Sequence, residues 1–103
     1  MIRHMVFLRF RQDVSVQTKN GLYADLSGLS DHINGILDFQ SRKNVSSETA
    51  LVRGFDDMFW FDFKDVASRD AYLVDEKHQV VGARIVAEIE GGADGVFVCD
   101  VEI

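Results

Sequence analysis

Tyr72 and His78 lie six residues apart in the stretch AYLVDEKHQVVG, and their side chains are suited to proton transfer. An imidazole, with an ordinary pKa of about 6.5, can remove a proton from a carbon next to a carbonyl group, and a phenol can hydrogen-bond the imidazole or the enolate that forms. On one continuous helix, however, six residues would leave the two side chains about 120° apart. The pair can therefore act on one molecule only if the helix breaks at the intervening sequence DEK, which contains no proline.

The same two residues also have ordinary structural explanations. His78 can cap or pack against the start of a helix, and Tyr72 can fill the edge of the core. A chance pairing of tyrosine and histidine is more often structural than catalytic, so the residues alone leave both interpretations open.

Apolar side chains recur in short segments that predict four strands, over residues 2–10, 36–45, 56–63 and 96–103. In the first strand, alternation places His4 on the same face as Val6 and Leu8. In the third, it places Phe59, Phe61 and Phe63 on one face and Met58 and Trp60 on the other.

Helices are predicted between these strands. Ser15, or Asp13 in competition with it, can cap a first helix that ends between residues 30 and 35. Asp65 can cap a second helix that runs to about Val74, and the sequence GGADG ends a further one. The predicted inward positions are Leu22, Leu26, Leu29 and Ile33 in the first helix, Ala67, Ala71 and Val74 in the second, and Val81, Ile85 and Ile89 in the last.

The order strand, helix, strand, strand, helices, strand predicts one α+β domain over residues 1–103. Its pattern is the ferredoxin-like split βαβ fold, a four-stranded antiparallel sheet with helices on one face. The other face would expose large apolar side chains, each stabilised by roughly 1.5–3 kcal/mol when buried. Such a patch predicts association, and the simplest closed assembly is a two-fold homodimer with the bare sheets packed together.

Composition excludes several classes of partner. A net charge of −6 with 11 Lys and Arg argues against binding nucleic acid. The apolar N-terminal segment is too short and too charged for a signal peptide or a membrane span. The single Cys99 is expected to be a buried thiol in a reducing compartment, which predicts a cytoplasmic protein. No histidine spacing suits a metal and no glycine-rich loop precedes a helix, so neither metal nor cofactor is predicted.

Five segments, in order and spacing, resemble the stress-responsive dimeric α/β barrel (Dabb) family. They are RHMVFLRF, ILDFQSRKNVS, RGFDDMFWFDFKD, RDAYLVDEKHQV and VFVCDVEI. The resemblance implies a ferredoxin-like protomer whose sheet pairs with its twin to form a dimeric α/β barrel. The family includes plant stress proteins and, more distantly similar to this chain, a plant polyketide (olivetolic acid) cyclase that closes a ring by aldol condensation.

The resemblance also implies site residues. Tyr72 and His78 match the family segment Y-x-x-H-P-x-H, which supplies the catalytic pair in the cyclase, with DEK in place of H-P-x. His4 and Asp100 match a first-strand histidine and a final-strand aspartate. Because first and last strands are neighbours in this fold, Asp100 can orient His4 or accept its proton, although a hydrogen-bonded core histidine is the simpler explanation.

Two positions depart from the cyclase-like pattern. Asp57 stands where that pattern has a second histidine, and Leu26 where it has a tyrosine, with Tyr23 one turn earlier. Asp57 and Trp60 complete the predicted ligand pocket.

Two functions are expected from these residues. The first is a homodimer that binds a small oxygenated organic molecule in an apolar pocket and performs acid–base chemistry on it, as a cyclase or isomerase would, without a cofactor. The second is a stress-associated binding or assembly module without turnover.

Overall fold

The computed structural model describes all residues, 1–103, and contains four strands and four α-helices. There are also two short 3₁₀ turns. Leu29–Asp31 follows the first helix, and Gly92–Gly95 precedes the last strand. In chain order the elements are β1 (Ile2–Leu8), α1 (Val16–Gly28), β2 (Ile36–Lys43), α2 (Thr49–Val52), β3 (Asp57–Phe63), α3 (Val66–Val74), α4 (Glu76–Val86) and β4 (Val96–Glu102). None of these helices has the length and apolar character needed to cross a bilayer.

The four strands form one antiparallel sheet in the order β2-β3-β1-β4. This arrangement confirms the predicted ferredoxin-like α+β fold. Strand β1 is one of the two central strands, and His4 is directly opposite Phe61 of β3 on one side and Asp100 of β4 on the other. The first and last strands are therefore neighbours, as the fold requires.

The core lies between the sheet and α1, α3 and α4. The predicted stripe of α1 is confirmed: Leu22 and Leu26 are buried within the helix and Leu29 and Ile33 just beyond it. Ser15 is the N-cap, and its hydroxyl accepts a hydrogen bond from the Thr18 backbone at 3.0 Å. The helix itself ends at Gly28, slightly before the predicted range, because the chain tightens there into a 3₁₀ turn.

Helix α3 differs from the prediction in the face that it buries. The three predicted inward residues, Ala67, Ala71 and Val74, are all exposed. Tyr72 is buried instead, with 1% of its surface accessible. Its ring packs against Phe61 and Phe63 at centroid distances of 4.8 and 5.1 Å. A buried tyrosine removes far more apolar area from water than an alanine, so this aromatic ring decides the orientation of a short helix.

Gly35 occupies a turn that only glycine fits. Its φ is +91°, and a Cβ at this position would overlap the Ser68 hydroxyl in the first turn of α3. The Gly35 carbonyl accepts a hydrogen bond from the Lys64 backbone at 2.8 Å, so the same turn joins the start of β2 to the end of β3.

We expect Gly35→Ala to destabilise the protein by about 1–3 kcal/mol, because it adds both backbone strain and a steric clash. Gly21→Ala is the matched control: Gly21 lies within α1, where an added methyl group would meet no other atom within 4 Å. Alanine there should be neutral or stabilise by up to about 1 kcal/mol. Urea unfolding of both variants measures the difference. Equal stabilities would contradict this account of the turn.

Candidate functional site

A cavity of about 280 Å³ lies between the sheet and the helices α3 and α4. Most of its wall is aliphatic or aromatic, and four side chains bring polar atoms to it: His4, Tyr72, His78 and Asp100. The remaining lining residues are Val6, Leu8, Leu26, Phe59, Leu73, Gly82, Ile85, Val86, Val96 and Val98. The cavity therefore combines an apolar interior with a small group of side chains that can exchange protons.

The break required between Tyr72 and His78 is present, and one residue makes it. Asp75 is both the C-cap of α3 and the N-cap of α4, with extended backbone angles of φ −67° and ψ 131°. Its backbone N–H donates to the Tyr72 carbonyl at 3.2 Å, and its carboxylate accepts from the His78 backbone at 3.0 Å. The change of direction lays the His78 ring on the Tyr72 ring, with centroids 3.8 Å apart and planes inclined by 33°.

His4 and Asp100 form a second pair across the neighbouring strands β1 and β4. His4 Nδ1 lies 2.6 Å from Asp100 Oδ1, and the His4 ring is 5.6 Å from the Tyr72 ring, centroid to centroid. A carboxylate only accepts hydrogen bonds, so neutral His4 carries its proton on Nδ1 and leaves Nε2 as an acceptor. This is the arrangement that makes an imidazole a directed base.

Arg69 completes this cluster and was missed by the sequence analysis. Its guanidinium donates to Asp100 Oδ2 and also pairs with Asp70. The signal for it was its position three residues before Tyr72, since residues at this spacing share one face of a helix. With Arg69 and His4 on its two oxygens, Asp100 reaches the cavity with both oxygens already paired.

Burial and charge keep His78 and Tyr72 neutral. Burial lowers the pKa of His78 below its ordinary value of 6.5, and repulsion from His4, when that imidazole is protonated, lowers it further. The carbonyl of Leu73, the negative charge of Asp75 and the carbonyl of Tyr72 oppose the change. Burial also raises the pKa of the Tyr72 phenol, which therefore stays protonated near neutral pH. His78 Nδ1 is buried and forms no hydrogen bond of normal geometry in the structure.

The structure does not bring Asp57 to this cavity. Asp57 is opposite Leu8 at the far end of β3, where its carboxylate accepts a hydrogen bond from Lys19 Nζ at 3.0 Å and lies 3.9 Å from Lys43 Nζ. It is buried in this ion pair and lines a separate cleft beside Tyr23. The prediction that Asp57 lines the ligand pocket does not match its position. The carboxylate is held away from the cavity by its ion pair with Lys19 of α1.

Trp60 is also outside the cavity. The alternation that turns Phe59 and Phe61 towards the helices turns Trp60 to the opposite face of the sheet. There its ring lies between Arg3 and Arg42, whose guanidinium carbons are 5.4 and 5.5 Å from the ring centroid. No group of three or more His, Cys, Asp or Glu side chains converges to hold a metal ion.

Comparison with known proteins places the chain in a family. Residues 2–103 match the model of the stress-responsive A/B barrel domain, Dabb. No curated protein matches the chain in sequence. A dimeric ferredoxin-like protein of unknown function from Jannaschia sp. CCS1 is 30% identical, with a TM-score of 0.88 over 99% of this chain and 98% of that one.

Two plant structures share the fold at lower identity. One is a protein from Arabidopsis thaliana, 21% identical, with a TM-score of 0.87 over 100% of this chain and 95% of that one. The other is a hydroxynitrile lyase from Passiflora edulis, 16% identical, with a TM-score of 0.82 over 99% of this chain and 92% of that one. With a family model matched from the second residue to the last, the chain belongs to the stress-responsive A/B barrel (Dabb) family.

Proposed function

We propose that this protein is a homodimeric, cofactor-independent enzyme that moves protons on a small oxygenated organic molecule. The observation that carries the proposal is the convergence of His4, Tyr72, His78 and Asp100 on one apolar cavity. Two imidazoles and a phenol supply bases and a hydrogen-bond donor, and the surrounding apolar wall strengthens their electrostatic effect by excluding water.

The roles follow from the protonation states. His78, neutral because burial lowers its pKa, takes a proton from a carbon next to a carbonyl group. The Tyr72 phenol, protonated because burial raises its pKa, donates a hydrogen bond to the enolate oxygen. The His4–Asp100 pair is a second base, and Asp100 stabilises the imidazolium that His4 becomes when it accepts a proton. Returning the proton to another carbon isomerises the substrate, and attack of the enolate on a second carbonyl closes a ring.

The cavity also limits the substrate. Its volume of about 280 Å³ is just below the usual range for ligand pockets, about 300–1,000 Å³. Both oxygens of Asp100, the carboxylate that lines it, are paired with protein groups. A small molecule without a formal charge, carrying one or two carbonyl or hydroxyl oxygens, therefore fits the site best.

The similarity to a hydroxynitrile lyase adds one substrate class to test. Cleavage of a hydroxynitrile begins with removal of a hydroxyl proton, which an imidazole paired with a carboxylate can perform. At 16% identity the likeness concerns the fold, so hydroxynitriles join β-keto compounds as candidates on chemical grounds.

The open face of the sheet supports the proposed dimer. The helices α1, α3 and α4 pack on the opposite face, and Phe97 and Val101 of β4 are 57% and 40% exposed on this one. Phe7 of β1 lies beside Phe97, at a centroid distance of 5.8 Å. The Jannaschia protein, 30% identical to this chain, is dimeric, and packing two such faces together buries them in a closed assembly. Cys99 is free and only partly buried, so the expectation of a buried thiol is not met. A cytoplasmic location stays a prediction.

The catalytic proposal can be tested without the natural substrate. Wild-type protein should accelerate exchange of the α-protons of a small ketone such as cyclohexanone for deuterium, followed by NMR. His78→Ala should reduce this rate by roughly 10²–10⁴-fold if His78 is the general base. Gln79→Ala, at an exposed position of the same helix, should exchange at the wild-type rate. An unchanged rate in His78→Ala would remove that residue from the mechanism.

Ligand binding gives a separate measurement. A panel of β-keto compounds, small aromatic ketones and hydroxynitriles should contain ligands that stabilise the protein, by about 2.7 kcal/mol at 100 times the dissociation constant. The thermal shift should disappear in His78→Ala and persist in Gln79→Ala. Binding without proton exchange or turnover would identify a binding module and contradict the enzyme proposal.

The lowered pKa of His78 predicts a dependence of stability on pH. A histidine whose pKa is lower in the folded state stabilises that state above about pH 6.5, and this contribution is lost as the pH falls through the folded pKa. The free energy of unfolding in urea, measured from pH 7 to pH 5, should therefore change less favourably in the wild-type protein than in His78→Gln. Parallel curves for the two proteins would contradict burial of a neutral His78.

Sedimentation tests the dimer. The wild-type chain should sediment as a dimer at micromolar concentration, and Phe97→Asp should give a folded monomer because it places a charge in the packed face. Val16→Asp is the control, since Val16 is as exposed as Phe97 but lies on α1, away from the open face. A folded wild-type monomer at that concentration would overturn the proposal.

A further inference from the structure

Asp75 connects three parts of the structure through one carboxylate. Oδ1 accepts the hydrogen bond from the His78 backbone at 3.0 Å, and Oδ2 lies 2.9 Å from His32 Nε2. His32 follows the 3₁₀ turn after α1, so the second contact ties the α3–α4 junction to a different part of the chain. Asp75 is thus held from two directions.

These contacts determine how His78 meets Tyr72. A continuous helix would separate the two side chains by about 120°, whereas the extended ψ of 131° at Asp75 allows their rings to approach to 3.8 Å. The chain contains no proline to force this conformation. Hydrogen bonding to the carboxylate is the interaction that favours it, because an N-cap acceptor stabilises the non-helical conformation of its own residue. The His78 backbone hydrogen bond, more than the His32 contact, keeps the pKa of Asp75 below its usual value, so the acceptor is ionised at neutral pH.

We propose that Asp75 is a positioning residue for the Tyr72–His78 pair, and that His32 holds its carboxylate in place. The inference rests on the proposed function, since it assigns both residues to the same site. In the groove beside the junction, Asp25 of α1 and Arg84 of α4 form another ion pair, at 2.6 Å. That pair also joins α1 to α4 but touches neither Asp75 nor His78, so it provides a matched control.

The geometry can be measured directly by NMR on the full chain. Nuclear Overhauser cross-peaks between the Tyr72 and His78 rings report their stacking without any ligand. Asp75→Ala removes both carboxylate contacts and should abolish these cross-peaks. Asp75→Asn keeps an oxygen that can cap α4 and should retain them, while His32→Ala should weaken them. Arg84→Gln, which breaks only the control ion pair, should leave them unchanged.

A rescue variant separates positioning from general destabilisation. In Asp75→Ala/Glu76→Pro, proline occupies the first position of α4, where it is well tolerated, and biases residue 75 towards extended conformations. The double variant should regain the ring cross-peaks and a large part of the proton-exchange rate lost in Asp75→Ala. This recovery is not expected if Asp75 only contributes to stability.

The inference is overturned if folded Asp75→Ala keeps the wild-type cross-peaks. If that variant does not fold, two other results decide. Unchanged cross-peaks and unchanged proton exchange in His32→Ala overturn the role of His32. A folded double variant that lacks the cross-peaks overturns the role of Asp75. Failure of the proposed function has a different signature: wild-type protein would show the ring cross-peaks but no proton exchange.

Discussion

The packing of Tyr72 against Phe61 and Phe63 connects the core of this protein to its candidate site. The ring fixes which side of α3 faces the sheet, and it also contacts the His78 ring, at a centroid distance of 3.8 Å. His4 completes the cluster from β1, edge-on to the same ring. Because one aromatic side chain serves both the core and the cavity, the orientation of α3 and the arrangement of the two imidazoles depend on each other.

Two carboxylates, each bound to two partners, organise the polar groups around this aromatic cluster. The Asp100 carboxylate is hydrogen-bonded to the side chains of His4 and Arg69. The Asp75 carboxylate is hydrogen-bonded to the His32 side chain and to the backbone N–H of His78. Each arrangement stabilises charge that would otherwise be costly in a partly buried position. His78 Nδ1 is different because it is buried without any partner. The site therefore combines well-satisfied supporting groups with one imidazole nitrogen that forms no hydrogen bond of normal geometry.

The sequence predicted those features that depend on periodicity and on strand order. Alternation placed His4 on one face of β1 with Val6 and Leu8, and it placed Phe61 on one face of β3 with the two neighbouring phenylalanines. The fold pattern made β1 and β4 neighbours, which is why pairing of His4 with Asp100 could be anticipated. The required break before His78 also followed from helix geometry. The sequence could not show that Asp75 would end one helix and begin the next, because a helix cap depends on which hydrogen-bond acceptor the folded chain brings to the helix end.

Other features depend on contacts that periodicity does not contain. Alternation fixes the faces of a strand, but small apolar residues such as Ala67 and Ala71 define the inner face of a nine-residue helix only weakly, and the large ring of Tyr72 determined it. The position of Asp57 was decided by Lys19, an ion pair between residues 38 positions apart in the chain. Trp60 was included in the pocket against the alternation of its own strand, which already placed it on the other face.

The two departures from the cyclase-like pattern have one structural consequence. Leu26 lines the cavity as an apolar residue, and Asp57, paired with Lys19, lies in a separate cleft. Phe59 lines the cavity and also packs near Tyr23, which borders that cleft. The polar groups of the cavity are consequently those contributed by β1, β4 and the α3–α4 junction, with apolar residues beyond them. A substrate that fits should therefore have its reacting oxygen at one end and its hydrocarbon part at the other. Such a substrate favours a proton transfer at a single centre over chemistry that needs polar groups along the whole molecule.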